Sequence, residues 1–235
     1  IYKTPKEALK AVFGYDSFRQ GQESVINAVL DGRDILAVMP TGAGKSLCYQ
    51  VPAMLLSGIT LVISPLISLM QDQVKALNEA GVDAAFINSS LSENEMHDTF
   101  KNAMKGQYKI IYVAPERLMS EGFVRLAKGV EISMITVDEA HCISQWGQDF
   151  RPSYMDIAEF VNVLDKRPII SAFTATATQN VREDIICSLG LSTPYFLVTG
   201  FDRENLFFQV DKPQSKDRFI LDYLDRHKGE SGIIY

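Results

Sequence analysis

The chain has 235 residues, a length that fits one large domain or one domain and part of a second. Hydrophobic residues make up 46% and charged residues 22%, which excludes disordered, collagen-like and coiled-coil chains. The net charge of −6 excludes a surface that attracts nucleic acid everywhere, so any such contact must use a local patch.

Short apolar runs alternate with helix-like stretches along most of the chain. The runs are continuously apolar, which is typical of strands buried on both faces of a parallel sheet. They are residues 35–39, 60–64, 84–87, 109–113, 132–137 and 169–174. Apolar residues at helical spacing predict helices over 22–30, 66–77 and 92–104. The alternation predicts an α/β fold with a doubly wound, mainly parallel sheet and helices on both faces.

The character of the sequence changes near residue 200. After a polar stretch, residues 206–210 (LFFQV) predict a new strand, 215–227 predict a charged helix, and 231–235 begin another apolar run. The chain stops inside that run, which indicates truncation. The predicted organisation is a first domain over 1–200, a linker over 201–205 and a truncated second domain over 206–235.

No apolar run reaches the roughly 18 residues that cross a bilayer, so we expect no membrane contact. No secretory signal is recognisable, although an upstream segment could have been removed. Three cysteines (Cys48, Cys142 and Cys187) are odd in number and far apart, which favours a reducing compartment over a disulfide framework. The cysteines and the three histidines lack zinc-ligand spacing, so we expect no metal beyond Mg²⁺ arriving with a nucleotide.

The strongest local signal is MPTGAGKSLCYQ (39–50), directly after a predicted strand. Small residues in this loop let backbone N–H groups approach phosphate oxygens, and a following helix N-terminus favours an anion. Lys45 supplies a charge for the β and γ phosphates, and Ser46 a hydroxyl for Mg²⁺. Met39 replaces the glycine of the general P-loop pattern, and a chance Gly-rich turn is the alternative. The predicted phosphate-binding residues are Thr41, Gly42, Ala43, Gly44, Lys45 and Ser46.

A second signal, ITVDEAH (135–141), ends the fifth predicted strand, where open α/β sheets bind their ligands. Asp138 is positioned to hold Mg²⁺ through water. Glu139 is positioned to polarise the attacking water of a phosphoryl transfer. For this segment alone, a solvated helix start is the alternative.

The sixth predicted strand ends in SAFTATAT (171–178). We expect Thr174 and Thr176 to hydrogen-bond the acidic pair and thereby report the nucleotide state. By itself the run is also compatible with a plain strand end or a helix N-cap. In this order, the three motifs resemble the first motor domain of superfamily 2 helicases.

Two aromatic segments narrow that resemblance. FGYDSFRQGQ (13–22) precedes the P-loop, and SQWGQDFRPSY (144–154) follows the acidic motif. The combination resembles the RecQ family of DNA helicases over essentially the whole chain. The resemblance implies a RecA-like fold and an ATP- and Mg²⁺-dependent helicase that moves 3′ to 5′ on DNA during repair and recombination. It also implies single-stranded and partly duplex DNA as partners, in the cytoplasm (nucleoid) of a bacterium or the nucleus of a eukaryote.

The resemblance assigns roles to matched residues. Tyr15 would stack on adenine, while Arg19 and Gln22 would contact it; a glutamine amide can pair with the N6/N7 edge of adenine. The aromatic segment after the acidic motif would sense single-stranded DNA by stacking and by cationic contact. Ordinary core packing is the alternative for the aromatic rings of both segments. The residues expected to bind DNA or couple it to hydrolysis are His141, Trp146, Phe150, Arg151, Thr174 and Thr176, with Tyr154 as a further aromatic ring.

Two more segments, VISPLISLMQDQV (62–74) and YVAPERL (112–118), lie where the family has its DNA-backbone motifs. Ser64, Ser68 and Arg117 carry hydroxyl and cationic groups suited to phosphate oxygens. Structural roles are equally open alternatives for each residue alone: helix caps for the serines and a surface ion pair for Arg117. Such local contacts would allow an acidic protein to bind DNA.

The resemblance places an arginine finger on a second RecA-like domain in cis. We therefore expect this segment alone to bind ATP weakly and to hydrolyse it negligibly. Two other classes remain open: an RNA helicase motor domain and a non-catalytic nucleotide-binding scaffold. The presence of Lys45, Asp138 and Glu139 together argues against a decayed site.

Overall fold

The computed structural model describes residues 2–147, 149–200 and 206–234. The chain divides into two compact units, Ile1–Phe201 and Asp202–Tyr235, and each is described by itself. The predicted linker over 201–205 and the position of Gln148 in the aromatic segment lie outside the described residues. The predicted domain boundaries therefore stay a prediction.

The larger unit contains a seven-stranded sheet in which every described strand pair is parallel. The strands are β1 (Ile35–Val38), β2 (Ile59–Ile63), β3 (Ala84–Ile87), β4 (Ile110–Val113), β5 (Ile132–Val137), β6 (Ile169–Thr174) and β7 (Tyr195–Val198). Their order across the sheet is β3-β4-β2-β5-β6-β1-β7. The six predicted strands are confirmed. β7 was not predicted from the sequence, because it is a four-residue edge strand whose residues are alternately half-buried and exposed.

Helices lie on both faces of this sheet. They are α1 (Pro5–Ala8), continued by a π turn over Leu9–Phe13, α2 (Gln22–Leu30), α3 (Lys45–Leu55), α4 (Ile67–Glu79), α5 (Glu93–Met104), α6 (Glu121–Gly129), α7 (Asp156–Asn162) and α8 (Gln179–Leu189). The three predicted helices correspond to α2, α4 and α5. No helix in the described ranges combines the length and apolar character that crossing a membrane requires.

Alternate strand residues face opposite sides of the sheet, which explains the continuously apolar runs. On β1, Ile35 and Ala37 pack into one core with α1 to α4. Leu36 packs into a second core with α5 to α8. The predicted doubly wound α/β architecture is confirmed.

Because all strand pairs are parallel, the carboxyl ends of the strands share one edge of the sheet. β5, β6 and β1 are consecutive in the strand order, so the segments that follow them are neighbours. These segments carry the acidic motif, the Thr-Ala run and the P-loop. The fold thus brings together three motifs that are far apart in the sequence.

In the smaller unit, α9 (Lys216–Arg226) confirms the predicted charged helix. The strand predicted over 206–210 is wrong, because these residues form no strand, and the apolar run that begins at 231 forms none over 231–234 either. A strand needs a neighbour to satisfy its N–H and C=O groups, and residues 206–234 supply none. Phe207 and Ile233 are accordingly exposed.

Asp34 ties the amino ends of neighbouring strands together. Its buried carboxylate accepts hydrogen bonds from Arg167 Nη1 and Nη2 at 3.1 and 2.6 Å. The same carboxylate accepts from the backbone N–H groups of Ile170 at 2.9 Å and Ser192 at 2.8 Å. Its own carbonyl accepts from Tyr195 N at 2.7 Å. One residue therefore aligns β1, β6 and β7 at the edge opposite the motifs.

Replacement of this anchor should destabilise the fold. Asp34→Ala removes the acceptor of two backbone N–H groups and the partner of Arg167, so we expect the free energy of unfolding to fall by about 3 kcal/mol. Asp165→Ala, which removes an exposed carboxylate, should change it by less than about 0.5 kcal/mol. Urea unfolding measures both variants, and equal losses would contradict the anchoring role.

Candidate functional site

The loop between β1 and α3 has a backbone suited to phosphate binding. Gly42 and Gly44 have φ values of +81° and +79°, in the left-handed region that glycine adopts without strain. Gly44 is the N-cap of α3, and Lys45 and Ser46 are its first two residues. The predicted cation and hydroxyl therefore stand at a helix N-terminus, whose first N–H groups have no partner within the helix.

Met39 does not disturb this loop, although it replaces the glycine of the general pattern. Its side chain is fully buried, and its sulfur lies 3.9 Å from the Sγ atom of Cys48. The side chain thus packs into the core beneath α3. The departure from the pattern is explained by core packing.

Gln22 and Arg19 hold the P-loop from the segment before β1. The buried Gln22 donates from Nε2 to the carbonyls of Ala43 (3.2 Å) and Gly44 (3.0 Å). Its Oε1 atom accepts from Arg19 N at 2.8 Å. Arg19 Nη1 donates to the carbonyl of Gly42 at 2.5 Å. Both side chains already have protein partners, so their predicted contacts with adenine stay a prediction.

A cavity of about 500 Å³ adjoins the loop, and its size suits a small-molecule ligand. Tyr15, which is 53% exposed, lines this cavity, so its ring is accessible to a base. The residues predicted to contact adenine and part of the P-loop lie together around this cavity. The lining includes Tyr15, Arg19, Gln22, Gly44 and Ser46.

The acidic pair directly follows β5. Asp138 is buried, and its Oδ1 atom accepts from the N–H of Glu139 at 3.0 Å. Burial and the charge of Glu139 raise the pKa of Asp138 to about 6, while the charge of Lys45 acts to lower it. The charge of Lys45 thus acts on Asp138 from the loop that follows β1. Glu139 has a φ of +47°, a conformation that costs a non-glycine residue about 1–2 kcal/mol.

His141 links the acidic pair to the end of β6. Its Nδ1 atom lies 2.9 Å from Thr174 Oγ1 and 3.3 Å from Glu139 Oε2. Thr174 Oγ1 donates to the carbonyl of Thr176 at 3.0 Å. The predicted direct contact with the acids needs correction for Thr174: among the described residues its Oγ1 atom contacts His141 Nδ1, which in turn lies close to Glu139 Oε2. The predicted contact of Thr176 stays a prediction.

Trp146 is 77% exposed on the loop after the acidic motif. The backbone N–H of Trp146 donates to Ser144 Oγ at 3.2 Å, and that hydroxyl donates to Asp184 Oδ2 on α8 at 2.6 Å. Gly147 has no room for a side chain, because a Cβ would lie 2.6 Å from the carbonyl of His141. Sequence analysis missed Asp184, since nothing in the sequence joins it to a serine 40 positions earlier.

The other two aromatic rings of this segment are less accessible. Phe150 is half-buried, whereas Tyr154 is fully buried and donates its hydroxyl to the carbonyl of Asp138 at 2.9 Å. The expected stacking role for Tyr154 is therefore wrong, because its ring belongs to the core. Its hydroxyl supports the backbone of the acidic motif.

Arg151 connects the aromatic segment to the end of β2. Its Nη1 atom donates to the carbonyl of Pro65 at 3.3 Å, and its Nη2 atom pairs with Asp149 Oδ2 at 3.3 Å. The guanidinium is thus held at the same edge of the sheet as the P-loop. Its predicted contact with DNA stays a prediction.

The residues expected to contact the DNA backbone also lie at this edge. Ser64 follows β2, Ser68 is exposed in the first turn of α4, and Arg117 ends a short 3₁₀ turn after β4. Ser64 Oγ and Arg117 Nε are buried without a hydrogen-bond partner among the described residues. Unpaired buried polar atoms are rare and often indicate an absent ligand.

A phosphate loop after β1 and an acidic pair after β5, in a doubly wound parallel sheet, define a P-loop nucleotide-binding domain. Residues 19–184 match the DEAD/DEAH box helicase family, and the chain belongs to that family. It is 50% identical over 95% of its length to the ATP-dependent DNA helicase RecQ of Bacillus subtilis (strain 168). It is 45% identical over its whole length to the corresponding RecQ of Pasteurella multocida (strain Pm70). The RecQ resemblance is confirmed.

The chain spans only 38% and 37% of the lengths of these two relatives. Among solved structures, the DUF1998 helicase MrfA bound to DNA is similar to this chain, with a TM-score of 0.66 and 22% sequence identity. The alignment covers 84% of this chain and 29% of the MrfA chain. That similarity shows the RecA-like helicase fold.

The two P-loop glycines differ in a way that can be tested. Alanine at either position meets the left-handed backbone and costs about 1 kcal/mol. A Cβ on Gly44 would also lie 2.4 Å from Gln22 Nε2, whereas a Cβ on Gly42 meets nothing within 4 Å. We therefore expect Gly44→Ala to lower the free energy of unfolding by about 1 kcal/mol more than Gly42→Ala. The difference should vanish in a Gln22→Ala background, and its persistence there would contradict this account.

The raised pKa of Asp138 predicts that, without nucleotide, this residue lowers the free energy of unfolding by an amount that depends on pH. A buried carboxyl with a folded-state pKa of about 6 opposes folding once it ionises, so the cost grows between about pH 4 and pH 6 and is complete above about pH 7. Asp138→Asn should therefore be more stable than the parent by about 2–3 kcal/mol at pH 8, and by much less near pH 4. Urea unfolding at both pH values measures this difference. A gain that is independent of pH would show that Asp138 does not titrate as described.

Proposed function

We propose that this chain is the ATP-binding motor domain of an ATP-dependent 3′–5′ DNA helicase, which couples ATP hydrolysis to movement along single-stranded DNA. The observation that carries the proposal is the grouping of the P-loop, the acidic pair and the Trp146 loop at one edge of the sheet. The charge of Lys45 acts on Asp138, and Glu139 contacts His141. The loop that presents Trp146 begins directly after the 3₁₀ turn that contains His141.

The site residues suit a nucleoside triphosphate with Mg²⁺. A serine hydroxyl and a carboxylate are oxygen ligands of the kind Mg²⁺ takes, and a divalent ion would favour the ionised form of the buried Asp138. Ser46 and Asp138 would hold the ion, which neutralises phosphate charge when bound. Lys45 would bind the β and γ phosphates, and Glu139 would orient the attacking water.

Contacts with DNA would be local, because the chain as a whole is acidic. The exposed ring of Trp146 can stack on an unpaired base, a contact worth about 1–3 kcal/mol. Ser64 and Arg117 each keep a buried polar atom that a phosphate oxygen or bridging water would satisfy. A base stacked on Trp146 would pull on a loop that begins at the acidic motif, which couples strand binding to hydrolysis.

The helicase activity is proposed for the longer protein, since the chain spans about two fifths of the matched relatives. A second RecA-like domain in cis would close over the phosphates and supply an arginine finger, a group worth about 10³–10⁵ in rate in related enzymes. We accordingly propose weak ATP binding and negligible hydrolysis for the 235-residue chain alone.

Substitutions in the full-length protein test the two halves of the mechanism. Lys45→Ala should abolish both ATP hydrolysis and unwinding, because the phosphates lose their cation. Trp146→Ala should weaken binding of single-stranded DNA by about 5- to 150-fold, from the loss of about 1–3 kcal/mol of stacking. It should also lower the DNA stimulation of hydrolysis more than it lowers ATP affinity. Steady-state ATPase assays with and without DNA, together with nucleotide titration, measure these effects.

Met155→Ala is the matched control, since this residue is also exposed and apolar and follows the same segment. We expect its DNA affinity to stay within about twofold of the parent. Equal losses in Trp146→Ala and Met155→Ala would refute the stacking role. Parallel titrations with RNA of the same sequence test the RNA-helicase alternative, which a clear preference for RNA would support.

A further inference from the structure

Three potential metal ligands meet where the acidic motif joins the aromatic segment. His141, Cys142 and Asp149 each offer one ligand atom, and these atoms lie within 4.8 Å of one another. Cys142 Sγ lies 3.9 Å from His141 Nε2 and 3.9 Å from Asp149 Oδ2. The nucleotide chemistry proposed above uses neither Cys142 nor Asp149.

Two of the three ligand separations are close to those of a tetrahedral zinc site. Zinc binds Cys sulfur at about 2.3 Å, His nitrogen at about 2.0–2.1 Å and carboxylate oxygen at about 2.0–2.2 Å. Tetrahedral angles then put pairs of ligand atoms roughly 3.3–3.6 Å apart. The two separations of 3.9 Å would have to shorten by a few tenths of an ångström, and the third, between His141 and Asp149, lies within 4.8 Å and would shorten by up to about 1.5 Å. Asp149 is exposed, so its side chain can move and leaves a path for an ion to enter.

The orientation of the imidazole is an independent observation. His141 Nδ1 faces the hydroxyl of Thr174 and the carboxylate of Glu139, at 2.9 and 3.3 Å. A histidine that binds a metal almost always donates its second ring N–H to a carboxylate, a carbonyl or a similar acceptor. With the proton on Nδ1, the lone pair of Nε2 is directed to the side where Cys142 and Asp149 lie.

The ligand set separates this site from the nucleotide site. Thiolate and imidazole favour Zn²⁺, whereas Mg²⁺ takes oxygen ligands. Asp138, the predicted partner of Mg²⁺, is not a member of the cluster. The two sites would therefore take different ions, although they lie on neighbouring residues of one segment.

We propose that the chain binds one Zn²⁺ ion through His141 Nε2, Cys142 Sγ and the Asp149 carboxylate, with water as the fourth ligand. Burial raises the pKa of Cys142 to about 11, so the thiol releases its proton to solvent when the metal–sulfur bond forms. The ion holds Asp149 against the acidic motif and competes with its ion pair to Arg151. It thus restrains the loop that presents Trp146.

Sequence spacing gave no indication of this site. The histidine and cysteine are adjacent, and the aspartate follows seven positions after the cysteine, which matches no zinc-ligand pattern. The expectation that the chain holds no metal of its own rested on that spacing. The 3₁₀ turn over Ala140–Ile143 and the return of the chain at Arg151, whose N–H donates to the carbonyl of Cys142 at 2.9 Å, bring the three side chains together.

Titration of the metal-free 235-residue chain with Co²⁺ tests the proposal without any assay of ATP hydrolysis or DNA binding. We expect one equivalent of Co²⁺ to produce visible bands of a tetrahedral ion and a near-ultraviolet band from sulfur-to-cobalt charge transfer. One equivalent of Zn²⁺ should abolish these bands. Absence of the charge-transfer band would overturn the proposal.

Paired variants locate the ligands. Cys142→Ser should remove the charge-transfer band, whereas Cys187→Ser, which alters an exposed free cysteine, should retain it. Asp149→Asn should weaken Zn²⁺ binding by at least about tenfold, whereas Asp165→Asn, also exposed, should not.

Asp149 is at the surface, so its variant remains informative even if Cys142→Ser fails to fold. The assignment would be overturned if Cys187→Ser lost the charge-transfer band. It would also be overturned if Asp149→Asn bound Zn²⁺ with unchanged affinity. Because these measurements do not involve nucleotide or DNA, the zinc site and the helicase function can fail independently.

Discussion

Parallel strand pairing is the constraint on which the site depends. It places the carboxyl ends of β1, β5 and β6 side by side, so the P-loop, the acidic pair and Thr174 become neighbours although they are far apart in the chain. The amino ends of the same region are held by Asp34, which bonds to the backbone next to β6 and β7. The anchor at one edge therefore positions the chemistry at the other.

The site keeps groups in conformations and environments that do not favour folding. Asp138 is a buried carboxyl with a raised pKa, Glu139 has a left-handed backbone, and Ser64 and Arg117 have unpaired buried atoms. Proteins retain such features where a ligand makes use of them. Mg²⁺ bound with a nucleotide would compensate the buried charge of Asp138. The phosphates of DNA would supply partners for the unpaired atoms of Ser64 and Arg117.

His141 is the residue that contacts several of these parts at once. Its Nδ1 atom contacts the predicted catalytic acid and the end of β6, while its Nε2 atom faces Cys142 at the start of the aromatic loop. The threonines had been expected to contact the acids directly, but the hydroxyl of Thr174 faces this imidazole. In the proposed mechanism, a change at the nucleotide would reach the Trp146 loop within a few residues, and an ion bound at Nε2 would act on the same connection.

The sequence by itself determined the strands, the P-loop and the acidic motif, because burial on both faces of a sheet and phosphate binding each demand particular residues at short spacing. It did not determine β7, the absence of strands over 206–210, or the burial of Tyr154, since strand pairing and packing depend on neighbours that are distant in sequence. Only the tertiary structure joined Gln22 to the P-loop carbonyls, Ser144 to Asp184, His141 to Thr174, and Cys142 to Asp149. Those contacts arise from chain reversals, whose geometry leaves no periodic signal in the residues that make them.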